Sequence, residues 1–307
     1  MLSIGFILLT HGNESQALRL VRTLGRVFGD PPIACHHDFS RTQFRIERFP
    51  RNVRFVQPHV RTQWGTISLV QAMLGGLRLL YDFGAPDWFY FLSGADYPIC
   101  DADSIGNELA RTPYDAYLRL KKVDHTRVPD RGAEDTGGID SPSYLRLAYQ
   151  RYIARSIPIP SLRHPHRGPA AMHLHLLNPG LLNRFHPFND HYFCYAGDQW
   201  FAGNTKAAAV LLAPEHERLL RYLKGRFPPD EAFCPTVLGN STELKISSES
   251  KHFIRWEPGN HPRLLEAPDM PEILRSNAHF ARKFAPDAPV LNLLDNHLRA
   301  VASPGVA

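Results

Sequence analysis

The stretch Trp88-Phe89-Tyr90-Phe91-Leu92, followed by Ser93-Gly94-Ala95-Asp96, decides the fold of this 307-residue chain. Its apolar run is nearly continuous between Pro86 and Gly94, as in a strand buried on both faces of a parallel sheet. In open α/β sheets, ligands bind beyond the carboxyl ends of such strands. The sequence therefore predicts an α/β fold with a ligand site near Asp96.

Strands and helices alternate on the amino-terminal side of this stretch. The apolar run Ile4 to Leu9 precedes residues with helical spacing from Ala17 to Val27. Two short apolar runs, at 32–35 and 53–56, precede a helical stretch from about Ile67 to Leu80. This alternation predicts a mostly parallel central sheet flanked by helices, of the kind that binds nucleotides.

The composition favours an ordinary globular protein with a basic surface. The formal charge is +5, and Lys and Arg occur throughout the chain, so we favour a solvated surface over nucleic-acid binding. Four separated cysteines without CxxC spacing indicate free thiols in a reducing compartment. The apolar amino terminus has no basic leader and is shorter than the ~20 residues of a membrane span. We therefore expect no transmembrane segment and a cytoplasmic location.

Six motifs in a fixed order give the chain a resemblance to a known family. Together they resemble the core-2/I-branching β-1,6-N-acetylglucosaminyltransferases of glycosyltransferase family 14, which also includes the peptide O-xylosyltransferases. Because we expect no secretory anchor, the resemblance is to a bacterial-type member. The motifs are Trp64-Gly65-Thr66-Ile67-Ser68, Tyr90 to Ile99, Gly197-Asp198-Gln199-Trp200, Pro229-Asp230-Glu231-Ala232-Phe233, Ile254-Arg255-Trp256 and Phe280-Ala281-Arg282-Lys283-Phe284.

The resemblance implies a GT-A-type fold and an inverting transfer of a sugar from a UDP donor to a hydroxyl of a glycan, lipid-linked or peptide acceptor. N-acetylglucosamine is the favoured sugar and xylose the alternative. Residues 1–120 would form the nucleotide-sugar-binding half, and residues 121–307 the acceptor-binding and catalytic half of the same catalytic unit.

The same resemblance implies a reaction without a cofactor or divalent metal. The Asp-x-Asp metal motif is missing, because Ser93 to Asp96 holds no second acid at the required spacing. Asp101 and Asp103 form such a triplet, but we expect them to cap a helix beginning near Ser104.

Inverting transfer needs a carboxylate to take the proton of the acceptor hydroxyl, and the resemblance assigns this catalytic role to Glu231. On residue chemistry alone, Asp230 and Glu231 could equally be acids that stabilise a helix amino terminus. Without a metal, fixed cations must stabilise the leaving diphosphate. The resemblance assigns this role to Lys283 and Arg263, and Arg282 is the alternative if Lys283 points outward.

The remaining candidate residues bind the two substrates. Trp256 matches an aromatic residue that packs on the acceptor sugar, and a core position is its structural alternative. Asp198 or Gln199 would reach a sugar, while Trp200 would support the acceptor site. The nucleotide-binding candidates are Thr10, His11, Asp38, Arg61 and Asp96.

Residues Lys122 to Pro169 are rich in Arg, Pro, Gly and His and indicate an insertion over the site, with a helix near Ser143 to Ala154. Two His-x-His pairs, His164/His166 and His173/His175, make a zinc site conceivable, but no acid or cysteine completes the ligand spacing. Two alternative functions stay open: a catalytically silent carbohydrate-binding protein on the same fold, and a basic nucleic-acid-binding or nucleic-acid-modifying protein.

Overall fold

A computed structural model describes residues 2–130, 139, 143–163, 171–176, 186–257 and 261–302, with only the backbone at 156–163, 171–176, 261 and 302. The helices of this part are α1 Glu14–Phe28, α2 Ile67–Phe83, α3 Ala102–Arg111, α4 Tyr144–Tyr152, α5 Thr205–Leu212, α6 Glu217–Leu223, α7 Asp230–Gly239, α8 Met270–Arg275 and α9 Pro289–Ala302. The strands are β1 Ile4–Thr10, β2 Ile33–His37, β3 Val53–Phe55, β4 Trp88–Ser93, β5 Tyr97–Pro98, β6 Ala116–Tyr117, β7 Leu120–Val123, β8 Arg155–Arg163, β9 Ala171–Leu176, β10 Cys194–Gly197, β11 Ala202–Asn204, β12 Ile246–Ser247, β13 His252–Ile254, β14 Trp256–Glu257, β15 His261–Pro262 and β16 Phe280–Arg282.

The largest sheet has seven strands in the order β12-β6-β11-β4-β1-β2-β3. β1 pairs in parallel with both β2 and β4, β2 pairs in parallel with β3, and β6 pairs in parallel with β12. Only β11 runs antiparallel to its neighbours β4 and β6. This arrangement confirms the predicted α/β fold with a mostly parallel central sheet and flanking helices.

Both faces of the central sheet are covered, because side chains alternate along each strand. In β4, Phe89 and Phe91 are fully buried in the apolar cluster that includes α2, whereas Tyr90 and Leu92 are fully buried in the cluster that includes α1 and α9. The prediction of a strand buried on both faces is therefore confirmed. The rigid strand fixes the position of the turn that follows it.

A second sheet, of order β13-β16-β5, joins the carboxyl-terminal part of the chain to the end of β4. β5 follows β4 after the turn at 94–96, and β16 runs antiparallel to it. Beyond β16, the Phe284 amide donates a 3.0 Å hydrogen bond to the Ala95 carbonyl. The last residues of β16 are therefore held at the carboxyl edge of the central sheet.

The two predicted halves share the central sheet, since β11 and β12 pair with strands of the first half. Helix α4 confirms the helix predicted near residues 143–154. No helix in the described ranges is long and apolar enough to cross a membrane.

Candidate functional site

The ends of β1 and β2 bring two predicted nucleotide-binding residues together. Thr10 Oγ1 lies 2.9 Å from His37 Nδ1, and the Asp38 amide donates to the Thr10 carbonyl at 3.0 Å. Because both strands are parallel, Thr10 and Asp38 lie at the same edge of the sheet. This is the edge at which the sequence predicts a ligand.

Asp38 organises the loops of this edge through its carboxylate. Its Oδ1 accepts from the Ser40 amide and hydroxyl, and its Oδ2 accepts from the Thr62 amide and hydroxyl at 2.7 and 2.8 Å. These donors hold the pKa of the buried Asp38 carboxyl well below its usual range, against the effect of burial. Asp38 thus joins β2 to the segment that contains the exposed Arg61.

His11 and Lys283 lie near one another at the same edge. Burial lowers the pKa of His11, and the charges of Arg41 and Lys283 lower it further while Asp38 opposes them. The pKa of Lys283 is lowered by partial burial and by Arg282, and the nearby Asp96 opposes this shift. A half-buried ammonium group between strand ends is suited to bind an anion.

Arg282 enters the site more deeply than the sequence indicated. Its side chain is 6% exposed, its Nε lies 3.5 Å from Asp96 Oδ1, and its guanidinium stacks 4.4 Å from the centre of the Trp200 ring. Within the described residues, its Nε and Nη1 have no hydrogen-bond acceptor. Arg282 therefore points inward and has donors available for a ligand.

Asp96 is too enclosed to be a simple ligand contact. It is 2% exposed, and its Oδ2 accepts from the Ser93 amide and hydroxyl. Burial raises the pKa of Asp96, and Arg282 is the largest opposing influence. In this structure, Asp96 holds the turn after β4 and orients Arg282.

Arg263 has an acidic partner that the sequence analysis did not foresee. Its Nη2 forms a short contact with Asp269 Oδ1, which also accepts from Arg255 Nη1 at 2.7 Å. Asp269 is 4% exposed and joins both arginines beside the 3₁₀ turn at 267–269. Much of the charge of Arg263 is therefore already balanced within the protein.

The catalytic candidate Glu231 lies in the first turn of α7 and pairs with α4. Arg151 Nη1 donates to Glu231 Oε2 at 2.8 Å, with exposed fractions of 18% and 35% for the two side chains. The neighbouring Asp230 is 4% exposed, and burial, followed by the charge of Glu231, raises its pKa to about 7. Two adjacent carboxyl groups thus have very different environments, and Glu231 is the ion-paired one.

Trp64 is a candidate that the sequence analysis assigned to no role. It is 61% exposed and lies edge-on to Phe227, with ring centres 4.8 Å apart. Phe227 lies three residues before the start of α7 at Asp230. The adjacent Gly65 has φ +71°, and a Cβ at this position would overlap the Phe227 ring. The Trp64-Gly65 motif was the sequence signal, because only glycine permits this close approach.

The predicted acceptor residues separate into two groups. Trp256 is half-buried and lines a groove of about 550 Å³ together with Arg119 and His252. Asp198 pairs with Arg119, with Nε and Oδ2 2.8 Å apart, at one side of this groove. Gln199 instead lies 3.8 Å from the Met73 sulfur. Trp200 supports Arg282, so Trp256 and Asp198 are the better placed of the four.

The Asp-x-Asp triplet behaves as predicted at its first position. Asp101 Oδ1 accepts from the Ser104 amide at 2.9 Å and caps α3, which begins at Ala102. Among the described residues, no cluster of three or more His, Cys, Asp or Glu side chains could hold a metal ion. His164 and His166 lie outside the described residues, as do the side chains of His173 and His175.

The sequence is similar to plant glycosyltransferases. It is 28% identical over 271 residues to the beta-glucuronosyltransferase GlcAT14A of Arabidopsis thaliana, covering 85% of this chain and 54% of the relative. It is 27% identical over 264 residues to GlcAT14B of the same plant, covering 82% and 53%. The chain thus spans about half the length of these curated relatives.

No protein-family profile matches the sequence. The apo structure of the WbbM bifunctional glycosyltransferase is similar with a TM-score of 0.44 and 10% identity, covering 97% of this chain and 50% of that one. The plant relatives agree with the resemblance to glycosyltransferase family 14, whereas nothing among the comparisons identifies a core-2/I-branching or bacterial-type member.

Proposed function

We propose that this protein is an inverting glycosyltransferase of the GT-A type that moves a sugar from a UDP donor to a hydroxyl acceptor. The observation that carries the proposal is the position of Lys283 and Arg282, two cations at the carboxyl edge of β1 and β4. An edge of this kind is where α/β sheets bind nucleotides. The similarity to two glycosyltransferases supports the same conclusion.

In the proposed reaction, the acceptor oxygen attacks the anomeric carbon while the bond from that carbon to the UDP oxygen breaks. Glu231 accepts the hydroxyl proton, and its ion pair with Arg151 fixes the orientation of the carboxylate. Lys283 and Arg282 stabilise the negative charge that develops on the leaving diphosphate. These fixed cations would make a divalent metal unnecessary.

The sugar is part of the proposal as well. The curated relatives are glucuronosyltransferases by name, which adds glucuronate to N-acetylglucosamine and xylose as donor sugars to test. For the acceptor, the groove beside Trp256 combines an aromatic plane with hydroxyl and amide groups from Ser250 and Asn277. Such a surface suits a glycan or a glycosylated lipid or peptide, because sugars have both apolar C–H faces and hydroxyl groups.

The decisive variant is Glu231→Gln, which keeps the shape of the side chain but cannot take the proton. We expect transfer or donor hydrolysis to fall by about 100-fold or more, because general base catalysis typically contributes 10² to 10⁴. UDP affinity, measured by calorimetry, should change little. Glu217→Gln, an exposed change on α6, is the matched control. Near-normal turnover of Glu231→Gln would refute the assignment of the base.

A binding protein without catalysis remains the second candidate, and it gives a different result in the same assay. A catalytically silent carbohydrate-binding protein would bind UDP-sugar or glycan but release no UDP with any of the three donors. In that case, Glu231→Gln and the natural sequence would behave alike.

A further inference from the structure

The positive charge of the chain is concentrated in one segment. Residues 39–66 contain six arginines and a single acid, Glu47, so this segment alone has the formal charge of +5 that the whole chain has. The remaining residues hold equal numbers of acidic and basic residues. Lys and Arg still occur throughout the chain, but their excess over the acidic residues lies in this segment. The six residues are Arg41, Arg45, Arg48, Arg51, Arg54 and Arg61, which we call the arginine edge.

The arginine edge follows one border of the central sheet. It extends from the end of β2 through the edge strand β3 to the loop before α2, and all six side chains are exposed. Arg41 Nη2 donates to the Thr62 carbonyl at 3.1 Å, which joins the two ends of the segment. The edge therefore begins and ends beside the loops that Asp38 organises.

Acidic residues neutralise only part of this charge. Glu14 Oε1 lies 3.6 Å from Arg45 Nε and 2.9 Å from Arg48 Nη1. The buried Asp38 has its Oδ2 3.6 Å from Arg41 Nε. With Glu47 of the same segment, three carboxylates are available to balance the charge of six arginines.

The other three arginines, Arg51, Arg54 and Arg61, have no carboxylate within ion-pair distance in the part of the chain that the structure describes. The Arg54 guanidinium lies 4.5 Å from the centre of the Phe83 ring, which covers its face without neutralising it.

An exposed apolar side chain lies in the same segment. Ile46 is 44% exposed on the 3₁₀ turn Ile46–Arg48, and Arg45 and Arg48 flank it. Isoleucine gains nothing from contact with water, whereas an aliphatic group surrounded by cations can enter the interface of a lipid bilayer. The combination differs from a surface that is merely basic and soluble.

We propose that the arginine edge is a docking surface for an anionic lipid bilayer. Its guanidinium groups would pair with lipid phosphates, and Ile46 would enter the boundary between headgroups and acyl chains. If the proposed transferase function also holds, this docking would bring the site next to a lipid-linked acceptor. The docking is tested at Arg51 and Arg54, which have no role in the candidate site, so it can fail separately from the proposed function.

A nucleic acid is the main competing partner, since phosphates of DNA or RNA also attract arginine. The exposure of Ile46 between Arg45 and Arg48 favours the bilayer, because an aliphatic side chain has no partner on a phosphate backbone. Residues 39–66, all of which the structure describes, contain a 3₁₀ turn and the strand β3 but no α-helix that could enter a DNA groove.

The test is co-sedimentation of the full chain with lipid vesicles. Vesicles with 30% phosphatidylglycerol in phosphatidylcholine should bind the protein, and pure phosphatidylcholine vesicles should not. Each arginine near an anionic surface contributes about 1 kcal/mol, or about five-fold in affinity. The double variant Arg51→Gln/Arg54→Gln should therefore lose roughly 10- to 30-fold, and added salt should weaken binding of the natural protein.

Two controls make the result specific. Arg218→Gln/Arg299→Gln removes the same charge from exposed positions on α6 and α9 and should cost no more than about two-fold. Ile46→Ser should weaken binding even at high salt, since it removes an apolar contact. Equal losses in the two double variants, or no preference for anionic vesicles, would overturn the proposal.

The competing partner is tested by measuring binding to a random DNA duplex at the same salt concentration. If the duplex binds more tightly than the vesicles, and Ile46→Ser has no effect on either, the arginine edge is a nucleic-acid surface and the proposal is wrong. Transfer to a soluble acceptor, or donor hydrolysis, is measured on the same samples. It should be unchanged in Arg51→Gln/Arg54→Gln, which separates failure of docking from failure of the proposed function.

Discussion

At the scale of single residues, the choice of cations for the diphosphate is the point that the structure changes most. The sequence favoured Lys283 with Arg263, but Arg263 already has Asp269 as a partner, while Arg282 points inward with two unsatisfied donors within the described residues. Arg282 also lies near a carboxylate, with its Nε 3.5 Å from Asp96 Oδ1, but Arg263 makes a hydrogen bond to Asp269 whereas Nε and Nη1 of Arg282 have no acceptor among the described residues. Arg282 therefore replaces Arg263 as the expected second cation.

Calorimetric titrations of UDP and uridine test this choice. We expect Lys283→Ala and Arg282→Lys to weaken UDP by roughly 10- to 100-fold, because a hydrogen bond to a charged group contributes about 1.5–3 kcal/mol. Uridine, which lacks phosphate, should be affected much less. Arg282→Lys keeps a cation beside Asp96 and so avoids leaving a buried charge unpaired.

The matched comparison is Arg263→Ala against Arg255→Ala, because both arginines contact Asp269. Both changes should have similar and small effects on UDP. If Arg263→Ala weakens UDP as much as Lys283→Ala does, the original pair is right and the role given to Arg282 is wrong.

Gly65 provides a second prediction at this scale. An alanine there would need a left-handed backbone conformation and would clash with Phe227. We expect Gly65→Ala to lower the free energy of unfolding by more than ~1 kcal/mol, as measured by urea denaturation. Gly106→Ala on α3 is the control, since its Cβ meets no atom within 4 Å and alanine favours a helix by up to ~1 kcal/mol. Equal stability of the two variants would contradict the packing described.

At the scale of elements, the sequence predicted what is periodic and local. β1, β2, β4 and α2 follow from long apolar runs or helical spacing, and the cap at Asp101 follows from its residue type. The three-stranded sheet β13-β16-β5 was not predicted, because strands of two or three residues are too short to show a period. Yet this sheet places Arg282 against Asp96, so the pairing that defines the cation site was invisible in the sequence.

His252 on β13 offers a pH test of how tightly this small sheet is packed. Its ring is buried against Phe280 with centres 5.8 Å apart, and burial lowers its pKa to about 3. Below pH ~6.5 the unfolded chain binds a proton there that the folded protein does not. The contribution of His252 to the free energy of unfolding should thus be complete at neutral pH. It should decrease between pH 6.5 and about 3, by up to ~1.4 kcal/mol per pH unit.

The measurement is the free energy of unfolding of the natural protein and of His252→Gln between pH 7 and pH 4. The variant cannot take up this proton, so its stability should fall less steeply with acid. Parallel curves for the two proteins would show that His252 is charged or exposed in the folded state. Other buried histidines, among them His36 and His279, also have lowered pKa values. They contribute to the pH dependence of stability that remains in the variant.

At the scale of the whole molecule, the proposal joins two surfaces on one rigid sheet. The strand ends hold the candidate donor site, and the border beyond β3 holds the arginine edge. Both depend on the same burial of β1, β2 and β4 between two apolar clusters. A ligand that binds at the strand ends should consequently stabilise the entire fold and not only the loops around it.

Thermal unfolding in the presence of UDP tests that consequence together with metal independence. A ligand at 100 times its dissociation constant adds about 2.7 kcal/mol of stability, which corresponds to a rise of roughly 4 °C in the melting temperature of a chain of 307 residues. If Lys283 and Arg282 replace a metal, the rise should be equal in excess EDTA and in Mn²⁺. Uridine should give less, because it lacks the diphosphate that these cations hold. A rise seen only with Mn²⁺ would instead identify a metal as part of the donor site, with Asp96 or Asp103 as the first carboxylates to substitute.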